Sequence, residues 1–301
     1  MPRTLSTYLF VKRKLNSQLI TEIARYGIQA VELFCARGHF DYRSQDAVRE
    51  LSGTLRDHDL ALRSVHAPTE RELSPTRESS APLSISDLER TRRLEAVDEI
   101  KRVLDMAEDM PFRYLVQHFG SSRDDADPRR FDAAFNSLEH LHIFAKQRGV
   151  TIALENTPGE LGTPANLRQF IADTRLTDLR LCFDIGHAHL EGGVLPNLEI
   201  MRDLVVTAHI HDNHGDKDEH LPPYQGDIDW KAAFAAFGVL PNARVPGPAP
   251  AATGNGIPLV LELKEQPAYA DPAPASVALK VVRSTFEKIE RQAEESAEAD
   301  D

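Results

Sequence analysis

Apolar residues along this chain fall into two alternating patterns. Short, nearly continuous apolar runs are typical of buried strands, and longer segments with an apolar residue every three or four positions are typical of amphipathic helices. The short runs predict eight strands, at Thr4–Phe10, Ile28–Phe34, Leu60–His66, Arg113–Phe119, Val150–Glu155, Leu179–Asp184, Val205–His211 and Ile257–Leu263. The longer segments predict helices at Ser17–Tyr26, Ser44–His58, Asp87–Asp109, Pro128–Arg148, Thr163–Asp173, Trp230–Phe237 and Ala275–Arg291.

Three segments interrupt this alternation. Glu70–Ser86 is rich in Ser, Pro and Arg and predicts a polar loop, while Pro241–Gly256 is rich in Pro, Ala and Gly and predicts a surface excursion. The last residues, Glu294–Asp301, are acidic and predict a disordered tail. The long helix after the first loop is expected to pack through residues at helical spacing, which are Leu88, Leu94, Val97, Ile100, Val103 and Leu104.

The repeated strand–helix unit favours one closed barrel. Eight alternations within about 290 residues fit a (β/α)8 TIM barrel better than an open sheet. An open doubly wound sheet would also need a glycine-rich phosphate turn after an early strand, and the sequence has none. We therefore expect an α/β fold with a single barrel domain over residues 1–293, followed by the tail over residues 294–301.

Composition and charge narrow the class of protein. The chain has 301 residues with 41% hydrophobic and 27% charged residues, which is enough apolar material for a large core. The net charge of −12 argues against an extended nucleic-acid surface. Cys35 and Cys182 lie in apolar runs, which predicts free, buried thiols. With no signal peptide and no apolar stretch near the ~18 residues of a membrane span, we expect a cytoplasmic protein.

Polar side chains stand where the predicted strands end. In a (β/α)8 barrel the carboxyl ends of the strands meet at one face, where active sites lie. A single histidine at a strand end usually has a structural role, but in this chain several such ends carry His, Asp or Glu. They are His66, His118, Glu155, Asp184 with His187 just beyond it, His209, His211 and Glu262, and the loop Asp212–Ile228 adds Asp218 and His220.

The carboxylates in this set indicate a metal. Glu155 and Glu262 each follow apolar residues, so that both carboxylates and that of Asp184 would enter one water-poor space. Their mutual repulsion and desolvation are costly unless a cation neutralises them. Mixed Glu, Asp and His ligands suit Mn²⁺, Zn²⁺, Co²⁺ or Mg²⁺ and do not select one of these ions. No other cofactor is expected.

The order of these motifs along the chain resembles the xylose-isomerase-like TIM-barrel superfamily. That superfamily contains sugar and sugar-phosphate isomerases and epimerases and the related apurinic-site endonucleases, and the resemblance covers essentially the whole chain. The matching motifs are SVHAP at Ser64–Pro68, VQHFG at Val116–Gly120, ALENT at Ala153–Thr157, CFDIGHAH at Cys182–His189, HIHDN at His209–Asn213, DEHLPP at Asp218–Pro223, GDIDW at Gly226–Trp230 and LVLEL at Leu259–Leu263.

The resemblance implies a set of metal ligands. A central ion would be held by Glu155, Asp184, Glu262 and a histidine of the seventh strand. His209 and His211 both point into the barrel because residues two apart share a strand face; we favour His209 and keep His211 as the alternative. The endonuclease branch has two further zinc ions, whose ligands would here be His66, His118 and Glu155 for one and His187, Asp218 and His220 for the other.

Two enzymatic functions follow from the resemblance. The first is a metal-dependent isomerase or epimerase of a sugar or sugar-like substrate, with or without a phosphate, in which Glu155 and Glu262 exchange protons through a metal-bound enediolate. His187 would then bind a substrate oxygen, with His66, His118 and His220 lining the pocket. The alternative is a zinc-dependent apurinic-site endonuclease or other phosphodiesterase that uses a metal-bound hydroxide. A lyase, a dehydratase or a non-catalytic relative on the same scaffold is a further alternative.

Three features favour the isomerase or epimerase. The net charge of −12 is unsuited to DNA. The motif between Asp184 and His187 is DIGH, as in the isomerase branch. No basic loop with aromatic residues is evident at the barrel mouth, and in the best candidate, Arg63–Arg77, the basic residues are mixed with the glutamates Glu70 and Glu72. We therefore expect a small sugar-like molecule as the partner, no nucleic acid and no membrane, with homo-oligomerisation open.

Several further residues are secondary candidates. Glu32 either faces the pocket or is a half-exposed carboxylate at a strand tip, and Asn156 is expected to orient its neighbour Glu155. Trp230 is expected to anchor a helix, and Lys264 and Arg123 are the best phosphate contacts if the substrate has a phosphate. The other histidines are expected at the surface or in packing; they are His39, His58, His140, His142, His189 and His214.

Overall fold

The strands form one closed, all-parallel barrel. The structure is a computed structural model, and it describes residues 2–71, 82–121, 123–238 and 257–298. Each strand pairs with the next along the chain, and the last pairs with the first. The strands are β1 (Thr4–Ser6), β2 (Ala30–Phe34), β3 (Ala61–His66), β4 (Tyr114–His118), β5 (Thr151–Glu155), β6 (Arg180–Asp184), β7 (Val205–Ile210) and β8 (Leu259–Leu261). The (β/α)8 barrel predicted from the sequence is therefore confirmed.

Helices connect the strands and cover the outside of the barrel. They are α1 (Ser17–Arg25), α2 (Gln45–Asp57), α3 (Arg90–Asp105), α4 (Pro128–Lys146), α5 (Pro164–Thr174), α6 (Ile185–Leu190), α7 (Val194–Met201), α8 (Trp230–Ala236) and α9 (Ala275–Glu298). Short 3₁₀ helices lie at Thr7–Phe10, Met106–Glu108 and Arg202–Leu204. None of the described helices combines the length and the apolar character that a membrane span requires.

Several predicted boundaries were wrong, and two of these differences have a clear local reason. The first strand stops at Ser6, because the Ser6 hydroxyl accepts the N–H of Tyr8 and starts a 3₁₀ turn. Helix α3 begins at Arg90 instead of Asp87, because the Glu89 carboxylate accepts the N–H groups of Thr91 and Arg92 as an N-cap. Helix α9 runs to Glu298 instead of Arg291, so residues 294–298 of the tail that we predicted to be disordered are helical.

The long helix also buries less of its apolar face than we predicted. Leu94 is 49% exposed, and Leu88, which precedes α3, is 40% exposed. The face that packs against the barrel instead consists of Val97, Ile100, Val103 and Leu104. The predicted loop Glu70–Ser86 is described except for residues 72–81, whereas the excursion Pro241–Gly256 and residues 299–301 of the tail lie outside the described residues.

Two apolar cores hold the barrel. The larger core lies between the outer face of the strands and the helices, and Leu33, Leu115 and Leu181 are among its fully buried members. The smaller core fills the inside of the barrel with Val116, Ala153, Cys182 and Val206, against which Tyr114 packs. The inner core closes the barrel below the strand ends, so that polar groups above it meet at the carboxyl-terminal face.

Two irregularities in strand pairing lie beside that face. The register between β2 and β3 shifts between Val31 and Glu32, and the register between β6 and β7 shifts between Leu181 and Cys182. A bulge of this kind changes the direction of the side chains next to it and is common near functional sites. Glu32 and Cys182 are both fully buried. Cys35 and Cys182 are free thiols, as the sequence predicted.

Candidate metal centre

Four strand ends bring three carboxylates and one imidazole together. Glu155 ends β5, Asp184 ends β6, His209 lies near the end of β7 and Glu262 directly follows β8. All four side chains are buried. Their donor atoms lie within 4.8 Å of one another. We call these residues the central group.

The imidazole of His209 is surrounded by the three carboxylates. Its Nδ1 lies 3.2 Å from Oε1 of Glu155, 3.2 Å from Oε2 of Glu262 and 3.6 Å from Oδ2 of Asp184. Within the described parts of the chain, every ion pair of these three carboxylates is with a histidine and none is with Lys or Arg. A divalent cation fits this donor set, because it would supply the positive charge that buried carboxylates need.

A first flanking group shares Glu155 with the central group. It contains His66, which ends β3, and His118, which ends β4. The Nε2 atoms of His66 and His118 lie 3.1 and 3.2 Å from Oε2 of Glu155. The two oxygens of Glu155 therefore face different histidines, which is the arrangement of a carboxylate that bridges two sites.

A second flanking group lies on the other side of Asp184. Its members are His187, His211, Asp218 and His220. Oδ2 of Asp218 lies 3.1 Å from Nε2 of His220 and 3.4 Å from Nε2 of His187. His187 is held near the start of α6 because Asp184 Oδ1 accepts its N–H at 2.7 Å. Each flanking group offers enough donors for one further cation.

Backbone carbonyls orient three of these histidines. A ring nitrogen that bonds a carbonyl leaves the other nitrogen to face the site, and this contact fixes the tautomer of a neutral ring. Nδ1 of His66 lies 2.8 Å from the carbonyl oxygen of Ala67, and Nδ1 of His187 lies 2.9 Å from that of Asn156. Nδ1 of His220 lies 3.0 Å from the carbonyl oxygen of Glu262. All three Nε2 atoms consequently face carboxylates.

The charged groups of the site shift one another's pKa. Burial alone would raise the pKa of Glu262, but His209 and His220 lower it to about 2. Burial would lower the pKa of His187, but Asp184 and Asp218 raise it to about 10. Burial also opposes ionisation of Glu155, yet His209 and His118 bring its pKa well below the ordinary value. The carboxylates are thus ionised at neutral pH.

The two histidines of the seventh strand belong to different groups. The donor atom of His209 lies in the central group, whereas His211, one residue past β7, points its Nε2 to within 3.0 Å of Oδ1 of Asp184. The ring of His211 stacks on His220 at 3.9 Å between centroids. The rings of His209 and His211 are both fully buried, as we predicted from their position on one face of the strand.

Asn156 has a different partner from the one we expected. Its side chain does not orient Glu155 but brackets the backbone of Asp184: Oδ1 accepts the N–H of Asp184 at 2.8 Å, and Nδ2 donates to its carbonyl at 3.0 Å. The side chain therefore ties the end of β5 to the end of β6. The sequence could not reveal this contact, because it depends on how neighbouring strands align.

Asp212 holds the loop that carries Asp218 and His220. Its Oδ2 accepts the indole N–H of Trp230 at 2.7 Å, and its Oδ1 accepts the N–H groups of Asn213 and Ile228. Trp230 is 2% exposed and anchors α8 as expected. Sequence reasoning did not assign Asp212 a role, although the HIHD motif contains it.

An aromatic wall adjoins the groups at the mouth of the barrel. The ring of Phe34 stacks on His66 with 4.7 Å between centroids. Tyr8 lies 4.8 Å from Phe34 and 5.3 Å from His220. Such a wall offers an apolar surface to one face of a small substrate whose polar atoms meet the carboxylates and imidazoles.

The remaining candidates lie away from the donor groups, with one exception. Glu32 is fully buried and contacts His209, so the half-exposed alternative was wrong. Lys264 and Arg123 are exposed. His39 is buried in packing, with Nδ1 2.6 Å from the carbonyl of Arg13. The other histidines outside the groups are His58, His140, His142, His189 and His214.

A family model and curated relatives match this chain. Residues 20–238 match the model described as xylose isomerase-like TIM barrel. An uncharacterized protein of Methanocaldococcus jannaschii is 30% identical over 235 residues, which cover 75% of each chain. The family match spans most of the barrel, from α1 to α8.

Solved structures share the fold at low sequence identity. A D-tagatose 3-epimerase-like protein superposes with a TM-score of 0.76 and 22% identity, covering 100% of both chains. The IOLI protein, whose structure has a bound zinc atom, superposes with a TM-score of 0.70 and 17% identity, covering 96% of this chain and 98% of that one. At these identities the likeness establishes the shared barrel architecture.

Proposed function

The chain belongs to the xylose isomerase-like TIM barrel family, and from this premise we propose that it is a divalent-metal-dependent isomerase or epimerase of a sugar or sugar-like substrate. The observation that carries the proposal is the pair Glu155 and Glu262. Both carboxylates are buried and ionised, and their donor atoms lie within 4.8 Å of each other in one group. Two such bases at one site suit the removal of a proton and its return.

The central group fits a divalent cation as the cofactor. Its three carboxylates and the Nδ1 side of His209 form a mixed oxygen and nitrogen set that suits Mn²⁺, Zn²⁺, Co²⁺ or Mg²⁺. Glu155, Asp184, His209 and Glu262 would hold the ion. When bound, such an ion polarises a carbonyl of the substrate and acidifies the adjacent C–H.

The protein's own residues then have distinct tasks. One of Glu155 and Glu262, both of them ionised at the start, takes the proton from the carbon beside the carbonyl and becomes a carboxylic acid. The same carboxyl group can return this proton to the neighbouring carbon, which gives isomerisation. For epimerisation, the other glutamate takes a proton from solvent and delivers it to the opposite face of the carbon. His187, whose Nδ1 is oriented by the carbonyl of Asn156, presents its Nε2 for a hydrogen bond with a substrate oxygen. The wall of Tyr8 and Phe34 excludes water from one side of the substrate.

Solvent hydrogen exchange tests this assignment. The Mn²⁺-loaded protein is incubated in D₂O with a panel of ketoses and ketose phosphates, and NMR follows deuterium at the carbon next to the carbonyl. We expect exchange and isomerisation of at least one sugar, and a loss of about 10²- to 10⁴-fold in rate for Glu262→Gln. Glu99→Gln is the control, since Glu99 is a buried glutamate that pairs with Arg43 and Tyr42 away from the site. Full activity in Glu262→Gln would refute the proton-transfer role.

A second candidate is phosphodiester hydrolysis, which the two flanking groups favour. Three donor groups that share or adjoin the same carboxylates could hold three cations, and several cations suit the attack on a phosphodiester. Its test is cleavage of an oligonucleotide with an abasic site by the zinc-loaded protein. The net charge of −12 and the aromatic wall support a small neutral or singly charged substrate instead.

We extend the proposal to the partner and the location of the protein. A small sugar-like molecule is the partner, with no role for nucleic acid or a membrane, and the location is cytoplasmic. A single barrel domain is part of the same proposal, and its last helix, α9, continues past residue 293 to Glu298.

A further inference from the structure

Glu32 is a fully buried carboxylate beneath the central group. It lies in the middle of β2 at the register shift between Val31 and Glu32, and its side chain points into the barrel. A buried carboxylate without a partner costs several kcal/mol, so its contacts indicate why the position is occupied. Among the described residues, Glu32 is outside all of the donor groups of the candidate metal centre.

The carboxylate of Glu32 has two partners. Ser64 Oγ donates to its Oε2 at 2.7 Å. Nε2 of His209 lies 3.1 Å from Oε1 and 3.2 Å from Oε2. The imidazole of His209 is thus placed between Glu32 on one side and the carboxylates of Glu155 and Glu262, both 3.2 Å from Nδ1, on the other.

This geometry decides which nitrogen of His209 can bind a cation. A neutral imidazole has one N–H, and only the nitrogen without the proton has a free electron pair. Without Glu32, the proton would be drawn to Nδ1, where the carboxylates of Glu155 and Glu262 are placed to accept a hydrogen bond and where the proton would exclude a metal ion. With Glu32, the proton stays on Nε2 and is hydrogen-bonded to the Glu32 carboxylate. The free electron pair of Nδ1 then faces the central group.

We propose that Glu32 is a positioning residue that accepts the Nε2–H of His209 and thereby holds Nδ1 free for a divalent cation in the central group. The inference rests on the proposed function in that it needs the central group to bind metal. A hydrogen-bonded carboxylate behind a ligating histidine also makes the ring a stronger donor, and such partners are worth about 10- to 100-fold in metal affinity.

The test measures Zn²⁺ binding in the absence of any substrate. The Zn²⁺ dissociation constant of the central group is obtained by competition with a chromophoric chelator for the wild type, Glu32→Ala and Glu32→Gln. We expect about 10- to 100-fold weaker binding for Glu32→Ala and a smaller loss for Glu32→Gln, whose amide oxygen still accepts a hydrogen bond but has no charge. Glu99→Gln, a buried carboxylate remote from the barrel centre, should bind Zn²⁺ like the wild type.

A spectroscopic measurement separates positioning from a general loss of structure. Two-bond ¹H–¹⁵N correlations of the zinc-loaded wild type should show His209 with a proton on Nε2 that exchanges slowly with water. In Glu32→Ala this proton should exchange faster, while circular dichroism stays that of a folded barrel. If Glu32→Ala does not fold, the isosteric Glu32→Gln provides both readouts.

The outcomes distinguish this inference from the proposed function. Wild-type affinity for Zn²⁺ and an unchanged His209 signal in both Glu32 variants would overturn the role of Glu32 and leave the metal centre intact. A wild type that binds no Zn²⁺ would overturn both. Failure to find a sugar substrate would affect the proposed function alone, because none of these measurements uses one.

Discussion

At the scale of single residues, Gly186 controls the position of His211. A Cβ atom built at Gly186 would lie 2.0 Å from Cε1 and 2.3 Å from Nδ1 of the His211 ring, which is far inside van der Waals contact. No larger residue fits there unless the imidazole moves. The glycine of the DIGH motif is therefore a packing requirement of the second flanking group.

The variant Gly186→Ala is expected to displace His211 from Asp184 and from its stack on His220. Zn²⁺ bound in the second flanking group should be weakened by about 10-fold or more, as measured by isothermal titration. Gly53→Ala is the matched control, since Gly53 lies in α2 with open space around its Cα, and there alanine should stabilise by about 0.5–1 kcal/mol. Unchanged zinc binding in Gly186→Ala would show that His211 is not needed.

His39 gives the molecule a pH dependence that is independent of the metal centre. Burial lowers the pKa of His39 to about 4, despite its contact with the carbonyl of Arg13. In the unfolded chain His39 binds a proton near pH 6.5. Above that pH, His39 therefore does not reduce the free energy of unfolding. As the pH falls to about 4, the free energy of unfolding decreases by about 3 kcal/mol. The variant His39→Asn, whose amide can still donate to Arg13, should lack this part of the pH dependence in urea denaturation. Parallel curves for the two proteins between pH 4 and 6.5 would contradict the assignment.

The residues of the site were largely predictable, but their partners were not. Strand ends such as Glu155 and His66 are visible in sequence, because an apolar run that stops at a polar residue marks the end of a strand. The separation of His209 from His211 into two groups depends on strand register and ring rotation. The same holds for Asn156 and Glu32, whose partners Asp184 and His209 come from other strands.

At the scale of elements, one side chain ties together the two ends of the loop from β7 to α8. Asp212 joins the start of this loop to Ile228 and Trp230 at its end. The loop positions His220 in a left-handed conformation, with φ of +48°, which is uncommon for a residue other than glycine. A strained residue of this kind persists only where its surroundings hold it.

The variant Trp230→Phe tests whether the contact between Trp230 and Asp212 stabilises this loop. The change removes the indole N–H from the buried carboxylate of Asp212, and we expect it to lower the free energy of unfolding by about 1–3 kcal/mol and to weaken zinc binding by His220. Chemical denaturation and titration with Zn²⁺ measure the two effects. Tyr224→Phe is the control in the same loop, because it removes only a half-buried hydrogen bond to Gln292. Equal effects from both changes would refute a special role for Asp212.

The elements themselves were predictable where the periodicity is long. The order of the strands was predicted correctly. The sequence did not predict α6 and α7, because the two helical segments within Ile185–Met201 are short and lack a clear helical repeat. The N-cap contact of Asp184 with His187 starts α6 and is a three-dimensional feature. The early end of β1 likewise depends on one hydroxyl, that of Ser6.

At the scale of the whole molecule, barrel closure explains why residues so distant in sequence meet. Glu32, Glu155 and Glu262 come from β2, β5 and the residue after β8, and all three lie around the ring of His209. The chain as a whole also has a net charge of −12. A protein with this arrangement favours a cation at the centre and a substrate that is not strongly anionic.

Metal content per chain is the most direct test of the account. Elemental mass spectrometry measures the metal content of gently purified protein, before and after reconstitution with Mn²⁺, Co²⁺ or Zn²⁺. We expect at least one divalent ion per chain in the wild type. We expect less metal in Asp184→Asn, because this change removes the charge of a central carboxylate. Two or three tightly bound Zn²⁺ would shift the function toward phosphodiester hydrolysis. No bound metal after reconstitution would contradict the central claim that these buried carboxylates form a metal centre.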